Sequence, residues 1–266
     1  MPKVVALYRY PVKGFTPEPV EQITVLPGGR VAGDRVLNFR FSDASVADAP
    51  VADTAWCRKY HGVVLANTPG LARLNVRFDE RAQRLTIYAG ARMLADHPLD
   101  ELGRQRMVEA ITEYVLSLDE NPLQGQPKHL PLKLVGDGTT PRYQDNEAGQ
   151  VTLHSRESLA SAGAALGDAN LNELRFRHNI VIEGVAPWHE QSWVGGKLRV
   201  GSVMFETVVP KTRCLATHAN PLTGERDLQV MQTLVKAFAQ KQPTFGVGML
   251  SVAGGGIQVG DTVVPA

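Results

Sequence analysis

Residues 208–227 read VVPKTRCLATHANPLTGERD. The run that leads into them, Val203 to Val209, carries apolar Val203, Phe205 and Val209 on one face, as a strand does. Pro210 has no N–H for a ladder and is expected to end that strand. Two cations, Lys211 and Arg213, lie beside Cys214. Nearby positive charge favours thiolate over thiol, and thiolate is the form that attacks or binds a metal. Asn220-Pro221 and Thr223-Gly224 mark a turn. Asp227 is placed to cap a helix that carries Met231, Leu234, Val235 and Phe238 on one side. A lone cysteine is by default a small buried hydrophobe. Its position in a loop at a strand end, among cations, raises Cys214 above that default.

Upstream, Val4 to Tyr8, Val20 to Leu26 and Val36 to Phe41 read as strands, broken by Pro11-Val12-Lys13-Gly14, Pro27-Gly28-Gly29 and Gly33-Asp34-Arg35. Ser42 to Asp53 reads as a loop. Arg58 to Leu65, Leu74 to Phe78 and Leu85 to Tyr88 are short strand candidates, and Cys57 beside Trp56 is assigned to packing. Leu102 to Leu118 repeats Met107, Ile111, Tyr114 and Leu118 at helical spacing. Asn121 to Pro131 holds three prolines and reads as a linker. It divides the chain into residues 1–120 and residues 121–266, each of domain size. In the second part, Leu132 to Val135, Val151 to Leu153 and Ile180 to Ile182 are strands, and Ser155 to Leu166 is a helix. Leu198 to Val200 and Val203 to Val209 form a hairpin about Gly201-Ser202. Gly246 to Val252 and Ile257 to Val263 close the chain as strands.

The chain has 266 residues, 43% of them hydrophobic and 21% charged, with a formal net charge of +1. That supports a real core and gives no support for general nucleic-acid binding, which needs a basic surplus or patch. The two cysteines cannot build a disulfide framework, and no C-x-x-C pair exists for zinc or an iron–sulfur cluster. The first residues are too short an apolar run for a signal peptide, and no apolar stretch approaches membrane-spanning length. A cytoplasmic protein without a membrane partner is expected. His129, His154, His178, His189 and His218 form no H-x-x-x-H or H-E-x-x-H pair, and there is no G-x-S-x-G elbow. The Gly254-Gly255-Gly256 run lacks the strand–helix context of a nucleotide loop.

What remains is one activated cysteine and four cations placed before or between strands: Lys13, Arg35, Arg177 and Arg213. Arginine offers a planar fork for phosphate oxygens, and lysine a point charge. Thiolates suit soft and borderline metals. Sequence alone leaves open whether these cations converge.

Several pieces, in order, resemble one family. Arg213-Cys214-Leu215-Ala216-Thr217 with Asn220-Pro221-Leu222-Thr223-Gly224 is similar to the signature of the MOSC domain. Tyr10-Pro11-Val12-Lys13-Gly14 and Gly33-Asp34-Arg35 resemble the amino-terminal β-barrel domain that precedes it in some members. Phe176-Arg177-His178-Asn179-Ile180-Val181, Phe245-Gly246 and Gly256-Ile257-Gln258-Val259-Gly260-Asp261 resemble other parts of the same family. The resemblance implies a mainly β, α+β fold with a few helices: an amino-terminal β-barrel domain (1–120) and a MOSC β-barrel domain (121–266). It implies the molybdenum cofactor, a molybdenum-bearing pterin, with Cys214 as the catalytic metal ligand. Lys13, Gly14, Arg35, Arg177, Asn179, Thr212 and Arg213 would hold the pterin and its phosphate. Gly14 would contribute only a backbone N–H.

The implied reaction is reduction of N-hydroxylated small molecules: amidoximes, hydroxylamines and N-hydroxy bases. Because no dinucleotide fingerprint or ferredoxin cysteine set is present, electrons are expected from a separate protein, a ferredoxin, a flavodoxin or a cytochrome with its reductase. The alternatives are a sulfur carrier with a persulfide on Cys214, and a cofactor-binding protein without turnover.

Overall fold

The structure is a computed structural model that describes residues 1–46, 49–251 and 253–266. It is mostly strands, with three α-helices. The first half carries β1 (Lys3–Arg9), β2 (Glu18–Val20), β3 (Gln22–Val25), β4 (Asn38–Arg40), β5 (Ser45–Val46) and β6 (Ala49–Pro50). A meander follows: β7 (Leu74–Asp79), β8 (Arg84–Ala89) and β9 (Arg92–Pro98), then helix α1 (Glu101–Leu116). The second half carries β10 (Lys133–Val135), β11 (Val151–Ser155), α2 (Arg156–Leu166), β12 (Ile180–Glu183), β13 (Lys197–Val200) and β14 (Val203–Thr212). It ends with α3 (Val230–Ala237), β15 (Thr244–Leu250), β16 (Gly255–Gln258) and β17 (Val263–Pro265).

Eight strands make the main sheet, in the order β17-β13-β14-β15-β11-β12-β1-β2. All its neighbours are antiparallel except β11 and β12, which α2 connects as a crossover. The expected barrels are a correction. Among the described residues the sheets stay open: an eight-stranded ladder, the three-stranded meander and two-stranded pairs. The edge strands explain why the ladder stops. β2 has Pro19 at its centre and β17 ends in Pro265, and neither residue has an N–H to extend a ladder.

Strand pairing crosses the 120/121 division. β1 pairs with β12, and β3 pairs with β16. One apolar cluster packs the meander on α1, with Val76, Phe78, Leu85 and Ile87 against Met107, Ile111 and Val115. A second lines the main sheet with Leu7, Leu153, Ile180, Phe205 and Val247. A third joins α2 and α3 through Ala162, Phe176, Leu234 and Phe245.

Several local expectations differ from what forms. Residues 58–65 make a tight turn at Lys59–His61 and a single bridge from Gly62 to Arg40 rather than a strand. Asn121 to Pro131 is not a loose linker, since Leu123 is buried in the first cluster. A short hairpin, β5–β6, lies in the expected loop 42–53. Residues 47 and 48 of that loop, and Val252 of the expected strand 246–252, lie outside the described residues. β14 runs through Pro210 to Thr212, with register shifts on either side of it that absorb the missing donor. Asp227 does not cap α3, which starts after Gln229; it accepts instead from Arg175 and Asn220. Among the described residues, no helix is long and apolar enough to cross a membrane.

Candidate functional site

A cavity of about 810 Å³ opens where β14, the turn before β12 and the first forty residues meet. Lys13, Gly14, Arg35, Arg177, Thr212, Arg213 and Cys214 all line it. They come from distant parts of the chain, so the fold makes the convergence that sequence left open. Among the described residues, eight lysine and arginine side chains line the cavity against one carboxylate, Asp145. Such an excess of like charge is costly unless an anion joins it.

Tyr10 organises two of the cations. Its ring is fully buried, and the guanidinium carbons of Arg35 and Arg177 lie 4.8 and 4.5 Å from its centroid. Its hydroxyl donates to the His178 carbonyl at 3.1 Å. Both arginines hold left-handed backbone angles, with φ of 53° and 55°. A non-glycine residue held there costs on the order of 1–3 kcal/mol, and such strain collects at functional sites. Arg177 takes this angle because it ends the tight turn Glu173–Phe176. Arg35 takes it between the Tyr10 and Tyr143 backbones, to which its N–H donates and its carbonyl accepts. Arg35 pairs with Asp34, and Arg177 donates to the Phe15 carbonyl.

Lys13 is buried, and its Nζ donates to the Cys57 carbonyl at 2.9 Å and the Gln144 carbonyl at 3.3 Å. Burial lowers its pKa, against the pull of Asp145. Gly14 has φ of 79°, and a Cβ there would stand 2.6 Å from Val64 Cα, so no side chain fits. Asn179 does not line the cavity. It sits behind the wall, where its Nδ2 donates to the Tyr8 carbonyl and to Asp34 Oδ1, both at 3.2 Å. It thereby steadies the carboxylate that holds Arg35.

Cys214 is half-buried, whereas Cys57 is buried away from solvent. Two arginines clamp the loop around Cys214. Arg226 donates to the Leu215 carbonyl at 2.8 Å and the Ala66 carbonyl at 2.9 Å, and pairs with Glu120. Arg175 donates to the His218 carbonyl at 3.2 Å and to Asp227 at 2.7 Å.

Sequence reasoning missed Lys59, Asp145 and His178 as parts of this wall. Burial disfavours the Lys59 ammonium, but the Cys214 thiol and Asp145 outweigh it and raise its pKa. Lys59 and Cys214 thus line one cavity from opposite halves of the chain. Lys211 donates to Gln150 at 2.9 Å; burial, then Arg213, pushes its pKa down to about 8. Desolvation inside the cavity opposes the Asp145 charge, yet Arg35, Lys13, Lys59 and Lys211 pull its pKa down to about 2. No sequence pattern marks Lys59 or Asp145, because neither lies in a periodic run or a motif.

Residues 140–264 match the family described as the MOSC domain. Over that segment, a little under half of its length, the chain is similar to a MOSC domain. The chain is 31% identical over 119 residues to mitochondrial amidoxime-reducing component 1 of Homo sapiens, covering 41% of this chain and 34% of that protein. It is 28% identical over 140 residues to molybdenum cofactor sulfurase of Oryza sativa subsp. japonica, covering 44% of this chain and 17% of that protein. The chain thus spans about a third or less of the length of these relatives. Among solved structures, YUAD protein from Bacillus subtilis superposes with a TM-score of 0.42 at 10% identity, over 99% of this chain and 94% of that one.

Proposed function

We propose that this MOSC protein is a molybdenum cofactor-dependent reductase of N-hydroxylated small molecules. The observation that carries the reading is the cavity in which one accessible thiol, Cys214, stands on a wall with eight cations. The donor set fits the cofactor. A thiolate suits a soft metal, and converging arginines and lysines suit a phosphate and an oxygen-rich pterin. Among the described residues, no group of three or more His, Cys, Asp or Glu side chains could hold a metal ion. The chain would therefore contribute one metal ligand, Cys214, and the pterin would bring the rest.

Arg35, Arg177, Arg213, Lys13 and Thr212 would hold the cofactor, with Gly14 allowing close backbone approach and Asn179 steadying Asp34 from behind. Bound there, the cofactor would supply two-electron transfer to the substrate. The balance is that R–NHOH takes two electrons and two protons, the N–O bond breaks, and R–NH2 and water leave. Lys211 Nζ, with its pKa near 8 on the cavity wall, is suited to give up one of those protons near neutral pH. The electrons would come from a separate ferredoxin, flavodoxin or cytochrome with its reductase, in the cytoplasm.

The experiment is production in a host that makes the cofactor, followed by metal and pterin analysis and an anaerobic assay with an N-hydroxylated base. One molybdenum per chain is expected, with turnover on reduced viologen and none on NADH or NADPH alone. Steady turnover on NADH without a partner would refute the external donor. Bound molybdenum without turnover from any donor would leave a cofactor-binding protein. A second reading has its own support: Cys214 and Lys59 line the same cavity, and some relatives are named as sulfurases. Cyanide-releasable sulfur on Cys214, without metal, would establish that carrier instead.

A further inference from the structure

His154 lies on β11, and His178 immediately precedes Asn179 and β12; both imidazoles are 1% exposed. Their Nδ1 atoms are 2.8 Å apart. One must donate and the other accept, since two bare nitrogens or two N–H groups would repel. Arg213 decides which. A guanidinium has only donors, and its Nη1 stands 3.2 Å from His178 Nε2. His178 Nε2 therefore accepts, and its proton sits on Nδ1. That N–H donates to His154 Nδ1, which leaves the His154 proton on Nε2. His154 Nε2 is buried and has no hydrogen-bond partner among the described residues.

The surroundings keep the pair neutral and close. Phe245 stacks on His178 with rings 7° from parallel. At Gly246, with φ of 67°, a Cβ would stand 2.5 Å from His178 Cε1, so only glycine leaves room for the ring against β15. Burial, then the Arg213 charge, lowers both imidazole pKa values well below the ordinary range.

The Arg213 side is equally determined. Nη1 also donates to the Phe176 carbonyl at 2.6 Å, and Nε to the Lys211 carbonyl at 3.2 Å. Nη2 makes no protein hydrogen bond among the described residues and is not enclosed, while Arg213 lines the cavity. We infer that His154 and His178 form a positioning dyad that holds Arg213 by its inner nitrogens and leaves Nη2 free for an anionic ligand in the cavity. The inference rests on reading the cavity as an anion site.

The test uses inorganic sulfate, whose charge is constant near neutral pH, with the full chain produced in a host that lacks the molybdenum cofactor. Binding is measured by titration calorimetry. His178→Phe keeps a ring but removes the acceptor, and a loss of about tenfold in sulfate affinity is expected, the scale of one charge-assisted bond. His178→Gln places an amide oxygen near the position of Nε2 and is expected to recover affinity to within about threefold of the wild type. A purely packing role for His178 predicts the reverse order. In the wild-type protein, imidazole nitrogen NMR is expected to show neutral rings, with the proton on Nδ1 of His178 and on Nε2 of His154. Wild-type affinity in His178→Phe, or the opposite tautomers in the NMR spectrum, would overturn the dyad while leaving the anion site standing. No sulfate binding by the wild type would remove the anion site, and the inference with it.

Discussion

Cys214 and Asp145 have opposite consequences for the same cavity. Cys214 is half-buried, so Cys214→Ala is expected to keep the melting temperature within a few degrees. It is expected to abolish the proposed N-hydroxy reduction, and retained molybdenum-dependent turnover in that variant would remove the ligand role. Cys57 is fully buried, so Cys57→Ala is expected to cost about 1–2 kcal/mol of stability and leave activity largely intact. Asp145 is the one carboxylate on the wall among the described residues, and its pKa near 2 means it stays charged at neutral pH. It competes with any anion drawn in by Arg35, Lys13, Lys59 and Lys211. Asp145→Asn is expected to tighten sulfate binding about three- to tenfold at low salt, less as salt screens the charges. Calorimetry at two ionic strengths checks both parts, and unchanged affinity would place Asp145 outside the anion's reach. Of these residues, Cys214 was legible in the sequence from its neighbours Lys211 and Arg213. Asp145 was not, because its role comes from cations far away in the chain.

Among the elements, the loop from Cys214 to Asp227 depends on partners outside itself. Arg226 ties the Leu215 carbonyl to Ala66 and Glu120, which belong to the first half of the chain. Arg226→Ala leaves those carbonyls without a donor and is expected to cost roughly 1–3 kcal/mol. The loss is expected to be local: alkylation of Cys214 speeds up several-fold, while Cys57 stays protected until global unfolding. Equal rates for Cys214 in both proteins would show that Arg226 does not restrain the loop. Sequence patterns located most elements, including β1, β7, β8, α1 and α2, because apolar periodicity is a local property. They missed β9, whose Arg92-Met93-Leu94-Ala95-Asp96-His97-Pro98 shows no clean alternation and which forms by pairing with β8. They ended β14 too early, because the register shifts that accommodate Pro210 are set by β15.

For the whole molecule, the buried histidines set an acid limit. The His154 pKa is about 3 in the folded chain against 6.5 ordinarily; burial is the largest cause, and Arg213 and Arg156 add to it. Between those values the unfolded chain binds the proton and the folded chain does not. Stability from this group is therefore complete above 6.5 and falls as the pH drops toward 3, by up to roughly 1.4 kcal/mol per unit. His178 shifts in the same direction. Urea unfolding at pH 7 and pH 5 is expected to show a fall in stability that is shallower in His154→Phe. An equally steep fall in that variant would assign the acid sensitivity to carboxylates alone.

By itself the amino-acid sequence determined the chemistry available: two cysteines, one of them beside two cations, no C-x-x-C pair, and a chain dominated by short strands. It also carried the ordered short motifs by which the MOSC resemblance was read. Those features are local, a few residues long, and survive without knowledge of what lies opposite. Only the tertiary structure brought Lys13, Arg35, Arg177 and Arg213 to one cavity, added Lys59 and Asp145, and moved Asn179 behind the wall. Among the described residues it also left the sheets open where barrels were expected, because Pro19 and Pro265 stop the ladder at its two edges. Charge convergence and sheet closure depend on which strands pair across more than a hundred residues. That is settled by burial of the whole core and by backbone donors that find or lack partners, neither of which a short window of sequence contains.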